Sequence, residues 1–244
     1  MRPDRRRDGQ LRPVRLRRGC LAFAEGSCFL RQGRTWVLCA ATVEESVPPF
    51  LVGRNSGWVT AEYNMLPRAT RTRTERVGGG GRLPGRSAEI QRMIGRALRA
   101  ATDLEALAGL TVRIDCDVVQ ADGGTRAASV TAGYVALAEA LEGLRKSGRL
   151  ARRALRDHVA AVSVGIVGGR FCLDLSSEED ARAQVDLTLA MTGRGEIVEV
   201  QATAEGLPFG RADLDRLLNL GAKGIRELVR AQKQVLRTGT GGSS

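Results

Sequence analysis

The chain is expected to fold as α+β: a single domain of two similar halves of mixed β-sheet, with helices packed against them. Short alternating segments punctuated by glycine turns open the chain, and amphipathic helical patterns follow them. The same strand-then-helix order occurs twice. At 244 residues the chain can bury a substantial core. No strong internal sequence repeat accompanies this order, so the similarity of the halves is architectural.

The first strands are predicted at residues 14–17, 19–24, 27–31 and 35–43, with Glu25-Gly26 and Gln32-Gly33 as hairpin turns. Another is predicted at 57–63. From 67 to 85 nothing apolar recurs with a strand or helix period, and a long loop is expected. It carries Arg68, Arg71, Arg73, Arg76 and Arg82 among threonines, and a Gly78–Gly81 run. A helix follows at 87–102 with Ser87 as its N-cap. Ile90, Met93, Ile94, Ala97, Leu98 and Ala101 form its buried face, while Arg92, Arg96 and Arg99 lie elsewhere on the cylinder.

A strand at 111–119 leads through Gly123-Gly124 into a helix beginning near Ala127. Val130, Tyr134, Leu137, Ala138, Leu141 and Leu144 mark that helix, and Ser147-Gly148 end it. Strands at 159–167, 170–175, 184–191 and 197–203 come next. A helix from 211 to about 236 closes the chain, amphipathic through Leu214, Leu217, Leu218, Ile225, Leu228 and Val229. The domain is placed at 1–236, and the Thr/Gly/Ser-rich residues 237–244 read as a disordered tail.

The formal charge is +11, and arginine supplies nearly all of it; Lys146, Lys223 and Lys233 are the only lysines. Guanidinium groups grip phosphate with paired hydrogen bonds, so nucleic acid is the leading partner class and anionic membrane the second. Nucleotide-composition bias explains the arginine-to-lysine ratio but not the net excess of positive charge. Aromatics are few, so contacts to the nucleic-acid backbone should outweigh base stacking. No apolar run approaches the roughly 20 residues that cross a bilayer, and the basic N-terminus lacks the apolar stretch of a secretory signal. Five cysteines without a C-x-x-C pair suggest buried reduced thiols and a cytoplasmic setting. His158 is the only histidine, which argues against structural zinc, a Ser–His–Asp triad and a histidine-pair ribonuclease.

The segment 120–126, Gln-Ala-Asp-Gly-Gly-Thr-Arg, joins a strand to a helix. Two glycines there permit a tight turn with unshielded N–H groups, and the helix start adds free donors and a positive dipole end. Thr125 contributes a hydroxyl and Arg126 a planar fork. The segment fits an oxyanion cradle, though Gly-Gly before a helix also serves as a plain turn. It is not a Walker loop, since spacing and lysine are both wrong. Arg86 stands at a second helix start, and convergence of the two arginines would make a dianion site. Among the acidic residues 174–186, Ser176 and Glu179 fit a capping box, which accounts for Glu178 and Glu179 as helix-initiating charges. Asp186 lies on the strand face opposite Val185 and Leu187, where solvent exposure is one reading. Beside a phosphate site, Asp180 or Asp186 would instead hold a divalent cation or protonate a leaving oxygen.

Several segments together resemble the ribonuclease PH family of phosphate-dependent 3′-exoribonucleases. These are residues 10–15, 57–63, 65–70, 89–92, 94–96, 103–107, 115–117, 120–126, 178–180, 185–186 and 191–193, collinear over about 2–236. The resemblance implies that family's fold and a cytoplasmic enzyme that trims the 3′ end of tRNA precursors with inorganic phosphate, releasing nucleoside diphosphates. It places phosphate on Arg86, Gly124, Thr125 and Arg126, and Mg2+ with the acidic chemistry on Asp180 and Asp186. It also implies a homohexamer, a trimer of dimers, whose RNA path would use Arg68, Arg71, Arg73, Arg76, Arg92, Arg96, Arg99 and the N-terminal arginines. The chain departs from the family pattern at Arg5 in Arg2-Pro3-Asp4-Arg5-Arg6, in its four-glycine run and at Ser176-Ser177. The competing reading is a non-catalytic RNA-binding ring subunit of related fold. A polynucleotide phosphorylase would need further RNA-binding domains.

Overall fold

The computed structural model describes residues 2–75 and 85–237; Arg76, Arg82, the Gly78–Gly81 run and the 238–244 tail lie outside them. The first half is a five-stranded sheet of β1 (Val14–Arg18), β2 (Gly26–Gln32), β3 (Thr35–Glu44), β4 (Trp58–Met65) and β5 (Thr111–Gln120), in the order β1-β2-β3-β5-β4. It is mixed because β4 runs parallel to β5 while the other pairs are antiparallel. A parallel pair needs a crossover, and α1 (Gly85–Ala100) lies within the connection from β4 to β5. The second half contains β6 (Val159–Val167), β7 (Arg170–Leu173), β8 (Ala183–Thr192) and β9 (Ile197–Ala204), in the order β7-β6-β8-β9. Its pairings are all antiparallel, so only the first sheet has the mixed character expected of both.

The helix α2 (Thr125–Lys146) packs on β2, β3 and β5 of the first sheet and on β6 of the second. It is buried on nearly every side, which explains why its pattern is only weakly amphipathic. Small residues allow this fit. A Cβ on Gly26 would stand 2.1 Å from the Ala136 carbonyl, so β2 approaches the helix backbone at a glycine. The last helix, α4 (Arg211–Arg237), covers the second sheet with Leu217, Ile225, Leu228 and Val229 buried. Buried Gln232 donates to the carbonyls of Thr131 and Val159, tying α4 to α2 and β6.

Three expectations need correction. Residues 19–24 form turns rather than a strand, and Phe23 there is fully exposed. The hairpin from β2 to β3 turns at Gly33-Arg34, with Gly33 at φ 58°. The strand expected to reach residue 175 stops at Leu173, because Asp174 takes a left-handed conformation with φ 57°. All five cysteines are free thiols, four of them buried. No helix among the described residues is long and apolar enough to cross a membrane.

Candidate active site

A cleft of about 430 Å³ opens where the N-terminus of α2 meets β8 of the second sheet. Arg86, Gly124, Thr125, Arg126, Asp180 and Asp186 all line it, so the predicted phosphate and acidic residues come together in one place. Each arrives by a local route. Gly123 and Gly124, at φ 78° and 65°, turn the chain sharply off β5, and Gly124 is the N-cap of α2 without a side-chain cap. The free N–H groups of that first turn therefore remain available at the positive end of a 22-residue helix. Gly123 could be nothing else: a Cβ would stand 2.5 Å from the Leu175 carbonyl and 2.8 Å from the Ser177 nitrogen.

Strand alternation decides between the two readings of Asp186. Val185 and Leu187 point into the core, whereas Asp186 and Thr188 line the cleft. One guanidinium nitrogen of Arg126 lies 2.9 Å from the Asp186 carboxylate, and the other donates to Gln201 Oε1 at 2.6 Å. Gln201 in turn donates to Glu89 on α1. Burial and the nearby charge of Asp180 push the Asp186 carboxyl above its usual range, while Arg126 and Arg86 oppose them. Asp180 ends the short helix α3 (Ser177–Asp180), which Ser176 and Glu179 close as the predicted capping box. Thr125 Oγ1 is 2.8 Å from Tyr63 Oη, which fixes the threonine against β4; burial raises the Tyr63 phenol.

The structure alters several assignments. The helix α1 begins at Gly85, so Arg86 lies in its first turn and Ser87 is inside the helix rather than its N-cap. Glu179 is not merely a solvated helix-initiating charge. Its carboxylate takes a two-pronged grip from Arg2, at 2.6 and 2.7 Å, in a pair almost wholly out of water. Burial acts against the charged form of Glu179, but the Arg2 hydrogen bonds hold its carboxyl down to about 2. Arg6 sits within 3.6 Å of both Asp174 and Glu179, with its own side chain buried. Arg2 and Arg6 therefore face inward, not toward an RNA path.

Among the arginines assigned to RNA, Arg71, Arg73 and Arg92 are exposed. Arg68 donates to the Arg71 carbonyl. Arg96 pairs with Glu199 of β9 at 2.7 Å. Arg99 stacks on Trp58 at 4.2 Å and donates to the Val59 carbonyl, which makes it a strut between α1 and β4. Arg76 lies outside the described residues. Sequence reasoning missed Tyr63, Gln201 and Glu89. Tyr63 and Glu89 do fall within segments that carry the family resemblance, but no signal marks Gln201.

Residues 10–141 match the model of the 3′ exoribonuclease family, domain 1, and residues 157–224 match domain 2, dividing the chain between α2 and β6. Over 236 residues, 97% of this chain and 99% of the relative, the sequence is 53% identical to a ribonuclease PH from Solibacter usitatus. Among solved structures, an Archaeoglobus fulgidus exosome with RNA bound to the active site matches with a TM-score of 0.79 at 24% identity. That match covers 94% of this chain and 91% of the other. Rice (Oryza sativa) Rrp46 matches at 0.77 and 19% identity, covering 97% of this chain and all of that one. At these identities both structures speak to fold alone.

Proposed function

The chain belongs to the 3′ exoribonuclease family of ribonuclease PH, and we propose that the cleft between α2 and β8 is where it performs that family's reaction. It is a phosphorolytic 3′-to-5′ exoribonuclease that trims tRNA precursors, using inorganic phosphate in place of water and releasing nucleoside 5′-diphosphates. One observation carries the assignment of the site. Two arginines and an uncapped helix N-terminus from the first half share a single cleft with two carboxylates from the second.

The chemistry sets a charge problem, because a phosphate nucleophile and an RNA phosphodiester repel each other. Arg86, Arg126 and the free N–H donors at Gly124 and Thr125 hold the nucleophile and offset its charge. Arg126 is already oriented by Asp186 and Gln201, so its fork need not be ordered when phosphate arrives. Rate enhancement then comes from positioning and electrostatics, as in other phosphoryl transfers. Asp180 and Asp186 suit a magnesium ion: they are two carboxylates in one cleft, Asp186 raised by burial and by the charge of Asp180, and Mg2+ commonly binds through one or two carboxylates plus phosphate oxygens. When bound it would offset the charge on the scissile group. The alternative to a metal is that one of the two carboxyls, in its protonated form, serves the departing 3′ oxygen as a general acid; burial and the charge of Asp180 favour the proton on Asp186.

Exposed Arg71, Arg73 and Arg92 supply backbone contacts for RNA outside the cleft. The assembly is a homohexamer, a trimer of dimers, and the setting is cytoplasmic. Because one phosphate ester is exchanged for another phosphate bond, the reaction also runs backwards and adds nucleotides from nucleoside diphosphates. The decisive assay incubates a tRNA bearing a 3′ extension with and without inorganic phosphate. Nucleoside diphosphate released only with phosphate is expected, while monophosphate released without it would mark a hydrolase and overturn the reading. A non-catalytic ring subunit would release neither.

A further inference from the structure

The phosphate turn owes its shape to residues that do not line the cleft. Arg12 lies behind the Gly123-Gly124 turn and is 4% exposed; Thr35, at the start of β3, is fully buried. Arg12 donates to the carbonyl oxygens of Asp122 and Gly123, the latter at 3.2 Å. The Thr35 hydroxyl donates to the Gly123 carbonyl at 2.7 Å and accepts the Asp122 N–H at 3.1 Å. Arg12 also approaches Thr35 Oγ1 at 3.3 Å, so the two act on the turn as one unit.

A trans peptide is planar, and its C=O and N–H point in opposite directions. Anchoring the Asp122 and Gly123 carbonyls to Arg12 and Thr35 therefore sends the N–H groups of Gly123 and Gly124 the other way, toward the cleft. Glycines at positive φ would otherwise let these planes rotate with little steric resistance. Had they flipped, carbonyl oxygens would face an incoming anion in place of donors.

Arg12 is itself fixed. Its backbone N–H and its guanidinium all bond the Asp174 carboxylate, at 2.8, 3.0 and 2.6 Å. The stem of Arg12 crosses Gly33, where any Cβ would stand 2.7 Å from Arg12 Cδ. Asp174 in turn offers its carbonyl to Arg2 at 3.1 Å and to Arg6 at 3.0 Å. A buried network thus runs from the N-terminal segment to both the phosphate turn and the helix bearing Asp180.

We propose that Arg12 and Thr35 are positioning residues that lock the two peptide planes of the phosphate turn with their N–H groups facing the nucleophile. The proposal rests on the turn being the phosphate site. It predicts a selective defect in phosphate affinity, since neither residue lines the cleft.

The test is steady-state kinetics on Thr35→Val, Thr35→Ser and Arg12→Lys, with phosphate and tRNA precursor varied separately and with melting temperature and tRNA affinity measured alongside. Thr35→Val keeps the shape and volume of the side chain and is the variant best placed to fold. It should raise the KM for phosphate roughly tenfold, about what one lost hydrogen bond is worth, and raise the KM for nucleoside diphosphate in the reverse direction similarly. Its tRNA affinity should not move, and Thr35→Ser should restore phosphate affinity. Arg12→Lys, which keeps the charge but loses the fork, should follow Thr35→Val. An unchanged phosphate KM in folded Thr35→Val overturns the proposal. A parallel fall in kcat, phosphate affinity, tRNA affinity and melting temperature also overturns it, since that pattern marks a purely structural role. Arg126→Ala separates the two levels. If its phosphate dependence is normal, the phosphate-site reading fails; if it is lost while Thr35→Val and Arg12→Lys behave as wild type, only the positioning role fails.

Discussion

Arg126 lines the proposed phosphate site while contacting the Asp186 carboxylate and Gln201, and its removal should show which of these matters to turnover. Arg126→Ala is expected to lower phosphate-dependent trimming by about 10²–10³, the usual cost of losing a preorganised anion donor. Binding of tRNA should stay near normal, because exposed arginines outside the cleft are untouched; equal loss of both in a filter-binding and trimming comparison would contradict the assignment. Asp180→Asn should depress turnover similarly, and near-normal rates in that variant would remove Asp180 from the mechanism. Local chemistry marked Arg86, Arg126, Asp180 and Asp186 as candidates and the family resemblance assigned them roles; the structure brings all four into one cleft. Residue type misled for Arg2, Arg6 and Arg99, which look alike in a basic sequence. Burial and partner choice, not charge, separate an RNA ligand from a strut on Trp58 or a buried counter-ion of Glu179.

At the level of elements, the strand-to-helix joint has no room for a side chain at Gly123. Gly123→Ala would place a Cβ 2.5 Å from the Leu175 carbonyl at a φ of 78°, so α3 and the turn must move apart. Strained substitutions of this kind cost about 1–3 kcal/mol, and the variant should melt earlier and lose phosphate affinity together. The elements legible in sequence were those with a clean period, such as α4 with its apolar stripe and β8 with Asp186 opposite Val185 and Leu187. Residues 19–24 alternate like a strand yet find no pairing partner, and the chain turns there instead. The capping box at Ser176 was visible because it is local; the arrival of Arg2 on Glu179 was not, because 177 residues separate them.

At the scale of the whole molecule, the charge of +11 and the buried ion network make separate predictions. RNA affinity should fall linearly with salt on a log–log plot, and Arg71→Gln should lower the magnitude of that slope by about 0.7 while leaving the phosphate KM unchanged. The Arg2–Glu179 pair acts on stability. A carboxyl held at about 2 in the folded state contributes stability that is fully present above the ordinary glutamate pKa and is lost as pH falls toward 2. Acid unfolding followed by circular dichroism should therefore be steep below about pH 4, and Glu179→Gln should flatten it within that window. Periodicity and turn chemistry in the sequence determined the order of strands and helices, and the local chemistry of 120–126 determined that an anion could be held there. Only the tertiary structure decided that α2 would carry that turn to β8, that Arg86 and Arg126 would line one cleft, and that Arg12 and Thr35 would bond the backbone of the turn. Those relations join residues from distant parts of the chain, and periodicity reports only on neighbours.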